Sequence, residues 1–334
     1  MRVTTFVSGL DVPWEIAFAP DGRIFVTERP GRIRTIVGGQ LQAEPWLTVD
    51  VAATGEGGLL GLALDPSFAQ NRFVYVAYTY RNASGDLRNR LVRLREDPGT
   101  GRGVLDRVLM DDVGGGSIHD GGRVKFGPDG KLYWTVGDAG NAGSAQDVSS
   151  RNGKVLRLNA DGSLPDDNPF PGSPVYSYGH RNPEGLAWQP GTGRLYETEH
   201  GSSATDEVNF VEAGQNYGWP DVRGDQSRPG MVSPVIQSGA DTWAPSGATF
   251  VSGGPWDGSL VFTGLRGETL CRVVLDKTDP RRVASFEKYL AGQYGRLRDV
   301  VQGPDGALYV LTNNTDGRGS PRPGDDRILR ITFE

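Results

Sequence analysis

Cysteine, histidine, lysine and long apolar runs are what this chain of 334 residues has little of, and each scarcity excludes something. The single cysteine, Cys271, forbids an internal disulfide, and its setting in VFTGLRGETLCRVVL reads as a strand interior, so it is expected to pack in the core and not to act as a nucleophile. No cysteine pair is present to attach a haem. No stretch of about 18 apolar residues occurs, which excludes a membrane-spanning helix. The opening MRVTTFVSGLDVPW holds no signal-peptide core, and the chain as given is expected to be soluble. Lysine plus arginine number 35 against 41 aspartate plus glutamate, a net charge of −6 with the signs interspersed. No basic face is offered to phosphates or acidic lipid, so nucleic acid and membrane insertion are excluded as partners. Only Lys125, Lys131, Lys154, Lys277 and Lys288 interrupt an otherwise arginine-based set of cations, a bias that says nothing about activity.

Glycine (49) and proline (22) are abundant, and they fall at intervals, as punctuation between short strands would. One unit recurs: an alternating apolar strand, a turn built on Pro-Asp-Gly, then a strand of aromatic and β-branched residues. WEIAFAPDGRIFVTE (14–28), GRVKFGPDGKLYWTVGD (122–138) and RDVVQGPDGALYVLT (298–312) show it cleanly. LLGLALDPSFAQNRFVYVAYT (59–79), EGLAWQPGTGRLYETE (184–199) and GATFVSGGPWDGSLVFTG (247–264) are imperfect copies. Gly-rich turns permit the positive φ that joins two antiparallel strands, so each copy predicts a hairpin. The turn prolines Pro20, Pro66, Pro128, Pro190, Pro255 and Pro304 stand roughly 45 to 65 residues apart, the length of a four-stranded blade with its loops. The expectation is an all-β fold: one domain over 1–334, a six-bladed β-propeller whose blades are four-stranded antiparallel sheets. The only helix foreseen is a short one over 144–151. MRVTTFV and RILRITFE at the two ends are alternating strands that could pair and close the ring.

A propeller serves enzymes, receptors and scaffolds alike, and LYWTVGD even resembles the YWTD repeat of receptor propellers, so function must come from the loops. All three histidines sit in Gly-flanked loops: His119 in GGGSIHDGGR, His180 in SYGHRNPEG, His200 in ETEHGSS. His119 precedes, and Asp138 follows, the two strands joined at Pro128, which puts both at one end of a blade. An Asp against an imidazole fixes its tautomer and raises its basicity, as a general base needs; an exposed His beside a structural Asp-Gly turn is the alternative. Pro183 keeps Asn182 out of helical space, so His180-Arg181-Asn182 forms a stiff loop presenting a cation and an amide. The segment 197–224 gathers Asp206, Glu207 and Tyr217 among glycines and serines, oxygen donors that suit a hard cation such as Ca²⁺ or simply an acidic surface. Arg296 and Arg298, two apart on a strand, would share a side and pair on a carboxylated ligand.

The segments EGGLLGLALDP, HDGGRVKFGPDGKLYWTVGD, GHRNPEGLAW, TEHGSSATDEVNFVEAGQNYGWP and RLRDVVQGPDGALYVLT, in this order, resemble the soluble glucose/sorbosone dehydrogenase family, whose aldose sugar dehydrogenases use pyrroloquinoline quinone (PQQ) and calcium. The resemblance spans most of the chain. It implies that His119 takes the hydroxyl proton at the sugar's anomeric carbon while hydride passes to the quinone, that Asp138 orients His119, and that Arg181 stabilises charge growing on the quinone oxygen. It further implies that Asn182, Arg266, Arg296 and Arg298 hold the cofactor with its three carboxylates. By the same resemblance, carbonyls of Gly201 and Ser202 bind the calcium that polarises the quinone, and Glu207 and Tyr217 belong to a second calcium site. Glu56 takes a substrate-binding position that is Gln in the glucose-specific enzymes, Ser202 replaces a Pro, Arg266 stands where Lys is common, and the long loop insertions are missing. A shallow, open cleft with broad aldose specificity is therefore expected. An external electron acceptor and a periplasmic or secreted location also follow from the family. Two other readings stay open, a calcium-dependent propeller lactonase with carboxylates around the central channel and a non-enzymatic recognition propeller.

Overall fold

Glycine sets the local geometry first. In the three Pro-Asp-Gly turns, Gly22, Gly130 and Gly306 have φ of +87°, +72° and +79°, a conformation that costs a residue with a Cβ about 1–2 kcal/mol. The three turns share one hydrogen-bond pattern: Gly22 N–H donates to the Ala19 carbonyl, Gly130 to Gly127 and Gly306 to Gly303, while the residue before each proline bonds the residue after each glycine.

A computed structural model of the chain describes residues 1–333. The hairpins build six antiparallel sheets. In the first, Pro13–Phe18, Ile24–Glu28, Arg32–Val37 and Gln40–Leu41 lie in sequence order, with Leu47–Thr48 also paired to the third strand. The second takes Leu59–Leu64, Phe73–Arg81, Leu87–Glu96 and Gly103–Gly114, and the third Val124–Phe126, Leu132–Val136, Lys154–Leu158 and Val175–Tyr178. Pro183–Trp188, Leu195–Glu199, Glu207–Val211 and Ile236–Gln237 form the fourth. Pro245–Phe250, Leu260–Gly264, Thr269–Leu275 and Val283–Tyr289 form the fifth. The sixth joins both ends of the chain: Leu297–Gln302, Leu308–Thr312 and Arg327–Thr332 are completed by Arg2–Ser8, with Arg2 opposite Thr332 and Val3 opposite Ile331. The terminal strands thus close the ring, as their alternation suggested.

Apolar clusters weld neighbouring blades. Tyr75, Ala77 and Leu91 of the second pack on Leu132, Trp134 and Leu156 of the third. Cys271 is fully buried beside Phe262 and Trp243, the core position its strand predicted. The axis is charged: wholly buried Arg123 has Nη1 3.1 Å from Glu15 and 3.2 Å from Asp299, with its guanidinium 4.2 Å from the Trp14 ring centre. One expectation fails. Residues 144–151 are not a helix; a single 3₁₀ turn, Ala142–Ala145, is followed by turns. The ammonium of buried Lys154 donates to the carbonyls of Ser144, Ala145 and Asn152 at 2.8, 3.0 and 2.6 Å, occupying acceptors a helix would use. A short helix, Phe68–Asn71, instead fills the second blade's first turn.

Candidate active site

The third blade positions the first pair. Because its two inner strands run antiparallel through Pro128, His119 and Asp138 meet at the same end, Nδ1 to Oδ1 at 2.7 Å. Asp138 also accepts the Gly140 N–H on Oδ1 and the Trp219 indole N–H on Oδ2, both at 2.8 Å. Burial pushes the Asp138 carboxyl up, but the bonds from His119, Gly140 and Trp219 outweigh it and the net direction is down. A carboxylate can only accept, so the neutral imidazole carries its proton on Nδ1 and keeps the Nε2 lone pair. His119 has φ +59°, and at Gly137 a Cβ would lie 2.0 Å from the His119 carbonyl oxygen. The loop that carries His119 is held in a backbone pose that only glycine opposite it allows.

The fourth blade supplies Arg181. Pro183 opens its first strand, and the preceding loop divides into an inside and an outside. His180 is inside and fully buried, its Nδ1 2.8 Å from Glu199 and its Nε2 2.8 Å from Ser177 Oγ, its ring stacked on Tyr217 at 4.8 Å. Arg181 faces out: its guanidinium donates to the carbonyls of Gly201 (2.6 Å) and His200 (3.2 Å) and lies 5.3 Å from the Trp219 ring centre, with Nε buried and unpartnered. Asn182 sits behind this wall, accepting the Gly121 N–H at 3.0 Å and facing Glu184 at 3.3 Å.

A cavity of about 540 Å³ opens at this end, with His119, Arg181, Gly201, Ser202, Arg266, Arg296, Arg298 and Glu56 on its wall. Glu56 accepts the His119 backbone N–H at 2.8 Å and the Arg318 guanidinium at 2.6 Å. Its carboxyl is lowered, since these bonds and His200 outweigh burial and the repulsion of Glu184. Arg296 pairs with Asp316 at 2.9 Å and Arg298 with Glu184 at 2.6 Å. Burial alone would raise Glu184, but His200, Arg298 and Arg123 hold it down to about 2. Arg29, Arg181 and Arg266 also line the cavity, and among the described residues none has a carboxylate at ion-pair distance. Sequence reasoning singled out His200 by its Gly-flanked loop without giving it a role, and missed Arg29, Glu184, Asp316 and Arg318. Arg29, directly after IFVTE, and Glu184 carried only the signal of position at an end of an inner strand, and Asp316 and Arg318 lie in the loop beyond Leu308–Thr312.

Arg29, Arg181 and Arg266, the Arg181 Nε being buried without a hydrogen bond, offer donors suited to a flat, multiply anionic ligand, and PQQ fits that description. The calcium positions are mixed. Gly201 presents its carbonyl to the cavity side, where Arg181 now donates to it; the Ser202 hydroxyl accepts Arg223 at 2.8 Å. Glu207 is buried, accepts the Gly224 N–H at 2.7 Å, and is pushed up to about 8 by burial and by Glu199 opposite it. The Tyr217 hydroxyl donates to the Phe210 carbonyl and accepts the Glu212 N–H, so only its main-chain carbonyl could serve a metal. His180, Glu197 and Glu199 bring ligand atoms within 4.8 Å of one another beside Glu207. Strand alternation concealed these two glutamates, because every second residue of Leu195–Glu199 turns to that side. The two carboxylates suit a hard cation, while both nitrogens of the His180 ring are already engaged by Glu199 and Ser177.

Known proteins share this architecture. A Thermus thermophilus protein assigned provisionally as an oxidoreductase (glucose dehydrogenase) is 47% identical and superposes with a TM-score of 0.91 over 99% of both chains. The PQQ-bound aldose sugar dehydrogenase of Streptomyces coelicolor is 40% identical, with a TM-score of 0.90 over 100% of this chain and 98% of its own. Aldose sugar dehydrogenase YliI of Escherichia coli K12 is 33% identical over 96% of this chain and 93% of its own. With residues 10–329 matching the sequence model described as Glucose / Sorbosone dehydrogenase, this chain belongs to the glucose/sorbosone dehydrogenase family.

Proposed function

We propose that the chain, acting as one domain over 1–334, oxidises aldose sugars at the anomeric carbon to lactones, with PQQ and calcium as cofactors. The observation that carries this reading is the 2.7 Å His119–Asp138 pair beside a cavity with three arginines that have no carboxylate at ion-pair distance among the described residues. When bound, PQQ would supply the hydride acceptor and calcium a Lewis acid beside it, with an external carrier as the electron acceptor. His119 Nε2 takes the proton of the C1 hydroxyl, and Asp138 stabilises the imidazolium that results. The Arg181 guanidinium provides a fixed positive charge where negative charge grows, Arg266, Arg296 and Arg298 bind the cofactor's carboxylates, and Asn182 holds the Gly121 turn from behind. Carbonyls of Gly201 and Ser202 would hold the catalytic calcium, and Glu207 with the Tyr217 carbonyl a structural one. Glu56, at the mouth and tied to Arg318, meets the sugar. No helix among the described residues is long and apolar enough to cross a membrane, and we place the enzyme outside the cytoplasm. The lactonase alternative needs a metal on the central axis, where the Arg123 guanidinium lies between Glu15 and Asp299.

The test is reconstitution of cofactor-free protein with PQQ and Ca²⁺, followed by bleaching of an artificial electron acceptor with a panel of aldoses. Turnover that a chelator abolishes and Ca²⁺ restores is expected, with no monosaccharide preferred by more than about a hundredfold, roughly 3 kcal/mol. Absence of turnover with every aldose, or lactone hydrolysis without quinone, would refute the reading.

A further inference from the structure

Asp120 follows the proposed base and plays no part in the reaction described. It is buried, 2% exposed, and all its hydrogen bonds converge on one oxygen. Oδ1 accepts the Gly116 N–H at 3.0 Å and the Asn89 side-chain amide at 2.9 Å. Asn89, on the second blade, also donates to the Gly114 carbonyl at 3.1 Å and accepts the Thr79 hydroxyl at 2.8 Å. Asp120 therefore ties the loop that follows Gly103–Gly114 back to the second blade through Asn89 and holds Gly116 within it. Its other oxygen, Oδ2, is sealed from solvent without any partner. A carboxylate in that place would bury an uncompensated charge, whereas a protonated acid buries only a hydroxyl.

The charged groups facing Asp120 are few. Glu56 repels a negative charge there and His119 attracts one. Arg88, on the strand beside the loop, is paired with Asp86 and Asp112. Burial is the largest influence, and with Glu56 it overcomes the bonds from Gly116 and Asn89 to push the carboxyl up to about 7. Glu56 is also the residue that accepts the His119 backbone N–H, so charge on Asp120 presses on the group that fixes the base's own amide.

We propose that Asp120 is a positioning residue for the base loop, fastening it to the second blade in its neutral form and loosening it when ionised, because the charged Oδ2 can be hydrated only if the loop opens. Its consequence for catalysis rests on His119 being the base.

The sign follows from linkage. A group whose folded value is raised above its unfolded value stabilises the fold below the unfolded value, and that stabilisation is lost as pH rises toward the folded one. Here the window runs from about pH 4 to about pH 7. Asp120→Asn imitates the neutral acid and cannot titrate. Thermal unfolding of cofactor-free protein should show the variant gaining on wild type by about 3–6 °C between pH 5 and pH 8, then running parallel. Hydrogen exchange of wild type, corrected for intrinsic rates, should show the 114–119 amides about tenfold less protected at pH 8.5 than at pH 6, with Lys154–Leu158 unchanged. This second readout needs no variant. Parallel unfolding curves, or equal loop protection at the two pH values, would overturn the proposal. In reconstituted enzyme, Asp120→Asn should match wild type within about twofold at pH 6 and exceed it at least about threefold at pH 8.5. Asp120→Ala, which leaves the Gly116 and Asn89 donors unpaired, should lose about tenfold at both. If the two cofactor-free readouts hold while Asp120→Ala turns over normally, the loop role stands and the assignment of His119 falls.

Discussion

Replacing Asp138 by Asn tests the proposed reaction at its most constrained point. The carboxylate accepts three donors: His119 Nδ1–H and Gly140 N–H on one oxygen, Trp219 Nε1–H on the other. An amide has one oxygen to offer. Turned toward His119, it keeps two of the three bonds and sets its NH₂ against the indole N–H, stranding a donor at about 1–3 kcal/mol. Turned the other way, it keeps only Trp219 and forces the imidazole proton onto Nε2, which removes the lone pair the base needs. The first orientation should dominate, so the tautomer survives while the charge facing the forming imidazolium is lost. A hydrogen bond to a charged group contributes about 1.5–3 kcal/mol, so kcat should fall roughly 10- to 150-fold with the sugar KM little changed. Reconstituted variants followed with an artificial acceptor give the rate. His119→Ala should lose at least about a hundredfold, and the double variant no more than that, because the two side chains act as one unit. Stability behaves separately. Asp138 titrates below its usual value when folded, so its contribution is present above about pH 4 and is lost as pH falls through the folded value; the stability gap between wild type and Asp138→Asn should close only in acid. Turnover of Asp138→Asn within twofold of wild type, or losses that multiply in the double variant, would refute the pairing as the source of basicity.

Other consequences are more local. Arg123→Met should destabilise by about 3–5 kcal/mol in urea unfolding, since Glu15 and Asp299 would lose their buried counter-ion, and adding Glu15→Gln and Asp299→Asn should recover part of that. Gly137→Ala, whose methyl would meet the His119 carbonyl at 2.0 Å, should cut kcat by about a hundredfold through displacement of the base. Arg318 is half exposed, so Arg318→Ala should change stability by less than about 0.5 kcal/mol and show its effect as a few-fold change in sugar KM through release of Glu56.

Local chemistry was legible in the sequence, and long-range adjacency was not. The Pro-Asp-Gly turns announced the hairpins because Gly22, Gly130 and Gly306 do there what few other residues can. The approach of His119 to Asp138 followed from one hairpin, and the ring's closure from two alternating ends. The rest of the site depends on the wheel as a whole. Glu56 meets Arg318 across 262 residues and Arg298 meets Glu184 across 114, and no periodicity predicts such pairs. The segment 144–151 misled because its spacing hid the lysine that captures its carbonyls from ten residues away. Asn182, a cofactor ligand by the family resemblance alone, has its amide bonded to Gly121 and Glu184, partners that no local motif predicts.

The cavity's arginines also carry a thermodynamic consequence. Arg29, Arg181 and Arg296 are all held below the usual guanidinium value, by burial first, and Arg29 and Arg296 further by Arg298 and Arg318. These cations are fixed before any ligand arrives: Arg298 by Glu184 and Asn313, Arg296 by Asp316. Such preorganisation lowers the reorganisation needed on binding and keeps Arg29 and Arg296 close to the repelling charges of Arg298 and Arg318. A multiply anionic ligand relieves that repulsion and a neutral sugar does not. The cofactor-free protein should therefore gain Tm with PQQ, about 2.7 kcal/mol of stabilisation at a hundred times the Kd, and gain almost none with glucose. Raising salt should shrink the PQQ effect; Arg29→Ala and Arg266→Ala should each weaken PQQ binding about tenfold, and Arg29→Ala, which removes a cation repelled by Arg298 and Arg318, should raise the stability of the ligand-free protein or leave it unchanged. Destabilisation of the ligand-free protein by Arg29→Ala would show that this cation is compensated within the fold and would refute the repulsion.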